Sequence, residues 1–166
     1  MKRVLFVCAG NTCRSVMAQA LFMQLAAERR LDVEVESAGV SAGFDEGATD
    51  QTVQVLSEQG IDVGDHRSRR LNPELLERAD LVLVMTRAQK ELIHDRFPDA
   101  ADKVLLLKEY SEQEVTDISE NSNTVGSSMD VSDPFGQTPD VYRATAAELR
   151  ELLEPIVDAW ATYDAD

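Results

Sequence analysis

Two cysteines and an arginine lie close together near the start of the chain, in a pattern suited to chemistry on a phosphate group. In the segment VCAGNTCRS, Cys8 follows a short apolar run, Cys13 comes five residues later and Arg14 opens an amphipathic stretch. A thiol beside a helix N-terminus and a guanidinium is stabilised as the thiolate, which is a nucleophile. The N–H groups of such a loop form a concave anion site, and a guanidinium binds two oxygens of a tetrahedral phosphate. The spacing therefore predicts a phosphate held beside an attacking sulfur.

Other sites built from similar residues fit the sequence less well. A Walker-type nucleotide loop ends in Gly-Lys-Ser/Thr, which the stretch from Gly10 to Ser15 lacks. A zinc site would need the chain's complete supply of cysteine and histidine, from separate elements: Cys8, Cys13, His66 and His94. We therefore expect no metal and no cofactor. A structural cysteine buried at a strand end remains as the alternative to a nucleophile.

The segments around this loop predict an α/β fold. Residues 3–7 are nearly all apolar, as in a parallel strand buried on both faces, and a helix follows from Arg14 to about Arg30. The other predicted elements alternate along the chain: strands at 33–36, 81–85 and 104–107, and helices at about 49–59, from 73, at 87–96 and at the C-terminus. We predict a single domain over 1–166, with a doubly wound four-stranded parallel sheet, helices on both faces and the phosphate-binding loop after the first strand.

Three local features complete the prediction. The small residues Ser37-Ala38-Gly39 are expected to form a turn after an edge strand, and residues 111–132, rich in Ser, Asn, Asp and Glu, are expected to form a loop. Thr86 is expected to cap the helix at 87–96. Pro155 removes a backbone donor and is expected to kink the last helix near Glu151.

The composition limits the partners of this chain. Its 16 Lys and Arg against 31 Asp and Glu give a net charge of −15, which opposes binding to nucleic acid. No apolar stretch approaches the roughly 20 residues that cross a membrane, and no signal peptide precedes the first strand. Two cysteines in one loop do not make a disulfide framework. We expect a cytoplasmic monomer that binds neither nucleic acid nor membranes.

Four motifs, spread over nearly the whole chain, resemble the low-molecular-weight protein phosphatase family: Val7-Cys8-Ala9-Gly10-Asn11-Thr12-Cys13-Arg14-Ser15, Ser37-Ala38-Gly39, His66 and Asp133-Pro134-Phe135-Gly136. Within that family the chain is most similar to the bacterial protein arginine phosphatases, which share the GNTCRS loop, the DPFG segment and the run Lys108-Glu109-Tyr110. Members with tyrosine specificity tend to carry a larger aliphatic residue in place of Thr12 and two tyrosines in place of Phe135-Gly136.

The resemblance implies a two-step reaction on phosphorylated protein substrates. Cys8 attacks phosphorus to form a phosphocysteine, and Asp133 protonates the leaving atom and later activates water. Arg14 and the amides of residues 9–15 bind the phosphate oxygens. Supporting roles fall to Asn11, Ser15, Ser37 and His66. Three alternatives stay open: Asp130 as the acid, Asp133 as an ordinary turn residue and His66 as a structural or exposed histidine.

Substrate and redox behaviour depend on other residues of the same motifs. Thr12 leaves a small polar wall, which suits a phosphoguanidinium better than a phosphotyrosine ring, and Phe135 can flank either. We therefore favour phosphoarginine, with phosphotyrosine as the alternative and a phosphate-binding or redox-sensing module without turnover as a third. Cys13 either forms a reversible disulfide with Cys8 or fills space as a small apolar residue. Thiol-dependent arsenate reduction needs further cysteines, and none follows Cys13.

Overall fold

A computed structural model describes residues 2–116 and 129–164 as a parallel sheet between two layers of helices. The four strands lie in the order β2-β1-β3-β4, with these bounds: β1 Lys2–Cys8, β2 Val33–Gly39, β3 Leu81–Val84 and β4 Val104–Leu106. All three strand pairs are parallel, and β2 is at the edge as predicted. The predicted fold class is confirmed.

Six α-helices are present among the described residues: α1 Arg14–Glu28, α2 Asp50–Ser57, α3 Pro73–Arg78, α4 Arg87–Arg96, α5 Leu107–Thr116 and α6 Pro139–Asp164. A short 3-10 helix, Pro98–Lys103, precedes β4. Three helices begin where the sequence places a side-chain cap, because Thr49, Asn72 and Thr86 each accept a hydrogen bond from an N–H group of the first turn. Within the described ranges, no helix combines the length and apolar character needed to cross a membrane.

Alternation of side chains along β1 divides the interior into two cores. Val4 and Phe6 belong to the core shared with α1, α2 and α6, whereas Leu5 and Val7 belong to the core shared with α3 and α4. Because helices cover both faces, every residue from Val4 to Cys8 is buried, which explains the continuous apolar run in the sequence. The chain passes from β1 to β2 on one side and then back across to β3 on the other. The carboxyl end of β1 is therefore the switch point where such sheets bind ligands.

Two local predictions are wrong. Residues 37–39 form no turn; they are the last three residues of β2 and pair with the end of β1, so that Gly39 lies opposite Cys8. The stretch 111–132 is not all loop, since its first residues belong to α5, which also takes Leu107 from the predicted fourth strand. Ser111 packs against α6, where its hydroxyl donates to the carbonyl of Leu152 at 2.7 Å. Tertiary contact thus stabilises a helix that local composition disfavours.

Two further predictions have no test. Residues 117–128, the rest of the predicted loop, lie outside the described residues. Pro155 lies inside α6, which continues through it to Asp164, and the kink near Glu151 stays a prediction.

Candidate active site

The loop between β1 and α1 folds back over the N-terminus of α1. Asn11 has a φ of 56°, a left-handed conformation that turns the chain and that asparagine tolerates better than most residues. Gly39 lets β2 end against this loop, because a Cβ at that position would lie 2.5 Å from the carbonyl oxygen of Ala9. The end of β2 and the loop therefore approach as closely as two backbones can.

A chain of hydrogen bonds leads to the sulfur of Cys8, which is buried. The Asn11 amide donates to Ser15 at 2.9 Å and to Ser37 at 3.0 Å, and Ser37 in turn donates to Gln19 at 2.6 Å. Since Ser15 Oγ already accepts from Asn11, its own proton is free to point at Cys8 Sγ, 2.9 Å away. The chain of hydrogen bonds therefore ends with a hydroxyl placed to donate to the sulfur.

The other side of Asn11 is held by the arginine-rich segment 65–70. The side-chain oxygen of Asn11 accepts from the N–H group of Arg69 at 2.9 Å, and the backbone carbonyl oxygen of Asn11 lies 2.8 Å from His66 Nε2. Because a carbonyl only accepts, Nε2 carries the proton. Burial lowers the pKa of His66, opposed by the hydrogen bond to Asn11 and assisted by the charges of Arg69 and Arg67. The imidazole is therefore a neutral donor that fixes the loop.

The lowered pKa of His66 predicts a pH-dependent stability. An unfolded histidine takes up a proton below about pH 6.5, whereas the folded one resists until the pH reaches its lower pKa. The contribution of His66 to the free energy of unfolding is therefore complete above the unfolded pKa of about 6.5. It is lost as the pH falls from there to the lower pKa of the folded state. We expect the free energy of unfolding to drop less between pH 7.5 and 5.5 in His66→Gln, which keeps a donor but does not titrate, than in the wild type. Denaturant titrations at both pH values measure this, and equal drops in the two proteins would contradict it.

Arg14 ties a distant segment to the loop. Its guanidinium is 4% exposed and donates through Nη1 to the carbonyl of Val131 at 2.9 Å. Val131 N donates to the carbonyl of Met85, at the end of β3, at 2.8 Å, and the Val131 side chain is fully buried. The segment that follows Val131 is therefore held above the carboxyl ends of β1 and β3.

This attachment places Asp133, and not Asp130, at the loop. Asp133 Oδ2 lies 3.4 Å from Arg14 Nη2, while the carboxylate is half exposed and its Oδ1 accepts from the N–H group of Phe135 at 3.1 Å. Asp130 points elsewhere, since its Oδ1 accepts from the N–H group of Arg87 at the start of α4 at 2.8 Å. Of the two candidate acids, Asp133 alone lines the cavity that contains Cys8.

The cavity above the loop encloses about 290 Å³ and is lined by Cys8, Ala9, Gly10, Thr12, Cys13, Arg14, Ser41, Glu46, Asp133 and Phe135. All three predicted catalytic residues meet here, as do Thr12 and Phe135, which were expected to select the substrate. Ser15 lies behind the wall, hydrogen-bonded to Cys8, and Asn11 is hydrogen-bonded to Ser15. Ser37 and His66 each contact Asn11 and so lie further from the cavity. No motif in the sequence marked Ser41 or Glu46 as part of this cavity.

Glu46 is fixed in place by its backbone. Its N–H group donates to Ser68 Oγ at 3.0 Å, and its carbonyl accepts from Ser68 N at 2.8 Å. Ser68 is buried and also donates to the carbonyl of Gly43 at 3.0 Å. In the part of the chain that the structure describes, the Glu46 carboxylate itself has no hydrogen-bond or ion-pair partner. Ser68 thus holds the backbone of Glu46 at the cavity wall, and the Glu46 carboxylate has no partner among the described residues.

The second cysteine, Cys13, also lines the cavity and contacts the start of α2 and a residue of α6. Cys13 Sγ lies 3.4 Å from the hydroxyl of Tyr142 and 3.7 Å from that of Thr49. Both cysteines are free thiols. Burial, followed by the contact with Cys13, raises the pKa of Tyr142 to about 12. Tyr142 therefore stays a neutral hydroxyl beside Cys13.

Comparison with known proteins agrees with this arrangement. The model of the family described as low molecular weight phosphotyrosine protein phosphatase matches residues 3–162. The chain belongs to this family. The resemblance predicted from the motifs is confirmed, and the chain is a cysteine-dependent protein phosphatase.

Relatives within the phosphatase family carry two kinds of name. A protein-arginine-phosphatase of Bacillus subtilis (strain 168) is 44% identical over 92% of this chain and 93% of its own. A probable tyrosine phosphatase of Ralstonia solanacearum, EpsP, is 41% identical over 96% of this chain and 94% of its own. Among solved structures, a mutant of the arginine phosphatase YwlE with a phosphorylated active-site serine is 43% identical, with a TM-score of 0.83 over 94% of this chain and 93% of that one. Family membership therefore fixes the fold and the class of enzyme but leaves two substrates to compare.

Proposed function

We propose that this phosphatase removes phosphate from arginine side chains of proteins through a phosphocysteine intermediate. The observation that carries the proposal is a single cavity in which a sulfur, a guanidinium and a carboxylate converge: Cys8, Arg14 and Asp133. The name of the Bacillus subtilis relative agrees with it. The proposed reaction uses no metal or cofactor.

The first step transfers the phosphoryl group to sulfur. Cys8 Sγ attacks phosphorus and forms the S–P bond, while the P–N bond breaks and its electron pair goes to nitrogen. Protonated Asp133 donates its proton to that nitrogen. A phosphoguanidinium, which already carries a positive charge, then leaves as the guanidinium of arginine, and an uncharged phosphoguanidine leaves as neutral guanidine. Arg14 and the N–H groups of the loop bind the three equatorial oxygens throughout.

The second step releases phosphate. The Asp133 carboxylate takes a proton from water as the water oxygen attacks phosphorus, and the S–P bond breaks with its electrons returning to sulfur. The Ser15 hydroxyl, 2.9 Å from Cys8 Sγ, stabilises the thiolate that leaves. Asn11 orients the Ser15 hydroxyl by donating a hydrogen bond to its oxygen. These contacts support the roles proposed for Ser15 and Asn11.

The cavity wall supports phosphoarginine over phosphotyrosine. A phosphoguanidinium keeps N–H donors beside the phosphate, and two carboxylates, Asp133 and Glu46, line the cavity to receive them. A phosphotyrosine ring offers no donor and would leave Glu46 facing an apolar edge. Thr12 adds a short side chain, and Phe135, which is 65% exposed, offers a flat surface to either substrate. Phosphotyrosine remains the second candidate because the family model and the Ralstonia relative carry that name.

Thr12→Ile is expected to shift the ratio of kcat/KM for a phosphotyrosine peptide over a phosphoarginine peptide upward by about tenfold. The substitution replaces the threonine hydroxyl with an ethyl group, which narrows the guanidinium site and gives a ring apolar contact. One such change in a pocket is worth roughly 10- to 200-fold. Steady-state kinetics on two peptides that differ only in the phosphorylated residue measure the ratio. Thr12→Val, which has nearly the volume of threonine, separates polarity from size. The proposal fails if the wild type prefers the phosphotyrosine peptide.

We also propose that Cys8 and Cys13 protect each other from irreversible oxidation. Hydrogen peroxide would oxidise the Cys8 thiolate to a sulfenic acid, and Cys13 would attack that sulfur to form a disulfide and release water. A dithiol then returns both thiols. The hydroxyls of Tyr142 and Thr49 beside Cys13 Sγ would accommodate a serine at that position without loss of packing.

Cys13→Ser is accordingly expected to make oxidation irreversible. After a peroxide pulse and then dithiothreitol, the wild type should regain most of its activity and Cys13→Ser only a small part, because an unprotected sulfenic acid goes on to sulfinic acid. Activity before and after reduction measures the difference. Equal recovery in the two proteins would show that Cys13 is only a filler.

The proposals about assembly and location rest on the composition of the chain. We propose that residues 1–166 form one phosphatase domain that acts as a cytoplasmic monomer on phosphorylated proteins, without binding nucleic acid or membranes. A net charge of −15 supports this, since it opposes self-association and binding to other polyanions. Light scattering at assay concentrations would report a dimer if the monomer proposal is wrong.

A further inference from the structure

A second cavity lies beside the catalytic one, with two arginines at its rim. It encloses about 200 Å³ and is lined by Val40, Ser41, Arg70, Leu71, Leu92, Ile93, Arg96 and Phe97. Its floor is apolar, because Val40, Leu71 and Ile93 are buried, whereas Arg70 and Arg96 are exposed. The cavity therefore has an apolar floor and positively charged side chains at its opening.

The two cavities share one wall. Ser41 lines both of them, and its N–H group donates to the carbonyl of Ala9, in the phosphate-binding loop, at 2.9 Å. The preceding residue, Val40, donates in the same way to the carbonyl of Cys8 at 3.0 Å. The two cavities are therefore neighbours, separated at this point by Ser41.

The backbones that carry the arginines are held firmly. Arg70 pairs with Gly39 at the end of β2, where Gly39 N donates to the carbonyl of Arg69 and Leu71 N donates to the carbonyl of Gly39, both at 2.9 Å. Arg96 lies in the last turn of α4, closed by the hydrogen bond from Phe97 N to Ile93. Cationic residues are common at helix C-termini, where the helix dipole stabilises them, and this accounts for the presence of Arg96. It does not explain Arg70, which comes from a different element and borders the same cavity.

The charges around this cavity run against those of the chain. The chain has 31 acidic residues and a net charge of −15. Among its described arginines, Arg78 and Arg143 each pair with a glutamate. Within residues 2–116 and 129–164, the guanidinium groups of Arg70 and Arg96 have no hydrogen-bond or ion-pair partner. None of the eight lining residues is acidic. The two guanidinium groups therefore attract an anion to this cavity in spite of the negative net charge of the chain.

We propose that this cavity binds an acidic side chain of the substrate protein, a few residues from the phosphorylated one. A glutamate fits both parts of the site: its methylene groups cover the apolar floor, and its carboxylate accepts from a guanidinium. The inference rests on the proposed function only for the identity of the phosphorylated residue. It assigns to this phosphatase a preference for acidic sequence around that residue, in spite of its own negative charge.

Two phosphoarginine peptides that differ only in flanking glutamates or glutamines test the site. Wild-type kcat/KM is expected to be higher for the acidic peptide by about threefold to tenfold, as for one or two partly exposed charge pairs. Arg70→Gln and Arg96→Gln should each reduce this preference and the double variant should abolish it, through KM. Turnover of p-nitrophenyl phosphate, which is too small to reach the second cavity, should stay within about twofold and also reports that the variants are folded.

Arg30→Gln is the matched control, since Arg30 is exposed, follows α1 and lies near the start of β2, at the opposite end of the sheet. It changes the net charge equally and should leave the preference intact. An equal loss in Arg30→Gln, no wild-type preference, or a preference that survives in the double variant would each overturn the proposal. If no phosphoarginine peptide is hydrolysed, the proposed function fails and phosphotyrosine peptides with the same flanks carry the test of the cavity.

Discussion

Cys8→Ser is expected to lower phosphatase activity by roughly 10⁴-fold or more, the scale on which loss of a catalytic nucleophile acts. A serine hydroxyl is far less acidic than a thiol. The serine that replaces Cys8 would therefore stay protonated and would be a weak nucleophile. The change is nearly isosteric, and the hydrogen bond from Asn11 to Ser15 does not depend on sulfur. Phosphate binding and folding should therefore persist while turnover is lost.

Hydrolysis of p-nitrophenyl phosphate in the presence of a chelator measures this loss. The wild type should keep its activity with the chelator, because the proposed reaction uses no metal. Cys13→Ser is the matched control: the same chemical change, five residues along the same loop, should leave most of the activity. Substantial activity in Cys8→Ser would remove the proposed mechanism, and would leave the loop as a phosphate-binding or redox-sensing site.

Arg14→Lys is expected to cost about 10³-fold in kcat/KM, although it keeps the positive charge. Arg14 uses Nη1 to hold the carbonyl of Val131 and presents its remaining donors toward the cavity and Asp133. A lysine has one ammonium, which cannot hold Val131 and bind two phosphate oxygens together. Transition-state stabilisation by a single lost donor is worth about 10²- to 10³-fold, and displacement of the segment that carries Asp133 adds to it.

Kinetics with substrates of different leaving groups separate these two effects. If the segment of Asp133 is displaced, a poor leaving group should suffer more than p-nitrophenol, which departs without a proton. Arg78→Lys provides the control. Arg78 also binds both oxygens of a carboxylate, that of Glu36 on β2, but it does not line the cavity. It should stay within about twofold of the wild type. Activity of Arg14→Lys close to that of the wild type would contradict the role given to the guanidinium.

Local sequence determined the elements that carry the loop. The run from Val4 to Cys8 is apolar because both faces of β1 are covered, and this pattern is visible in the letters. Thr49, Asn72 and Thr86 start helices through contacts that span only three residues. The segment 37–39 was misjudged for the opposite reason, since its small residues look like a turn unless the partner strand is known. Gly39 is small because the loop of Ala9 and Asn11 comes close to it in space.

The sequence by itself therefore determined β1, the loop that follows it and most of the helices and strands along the chain, since each depends on neighbours within a few positions. Only the tertiary structure shows that Asp133, and not Asp130, lines the cavity. Its position depends on Val131 being held by Met85 and Arg14, which lie far away in the chain. The tertiary structure also brought Glu46 to one wall of the cavity and Arg70 to the next, since Ser68 and Gly39 fix them through long-range backbone contacts. The loop that carries Cys8 and Arg14 is encoded locally, whereas the carboxylates on the wall of its cavity are brought there by tertiary contacts.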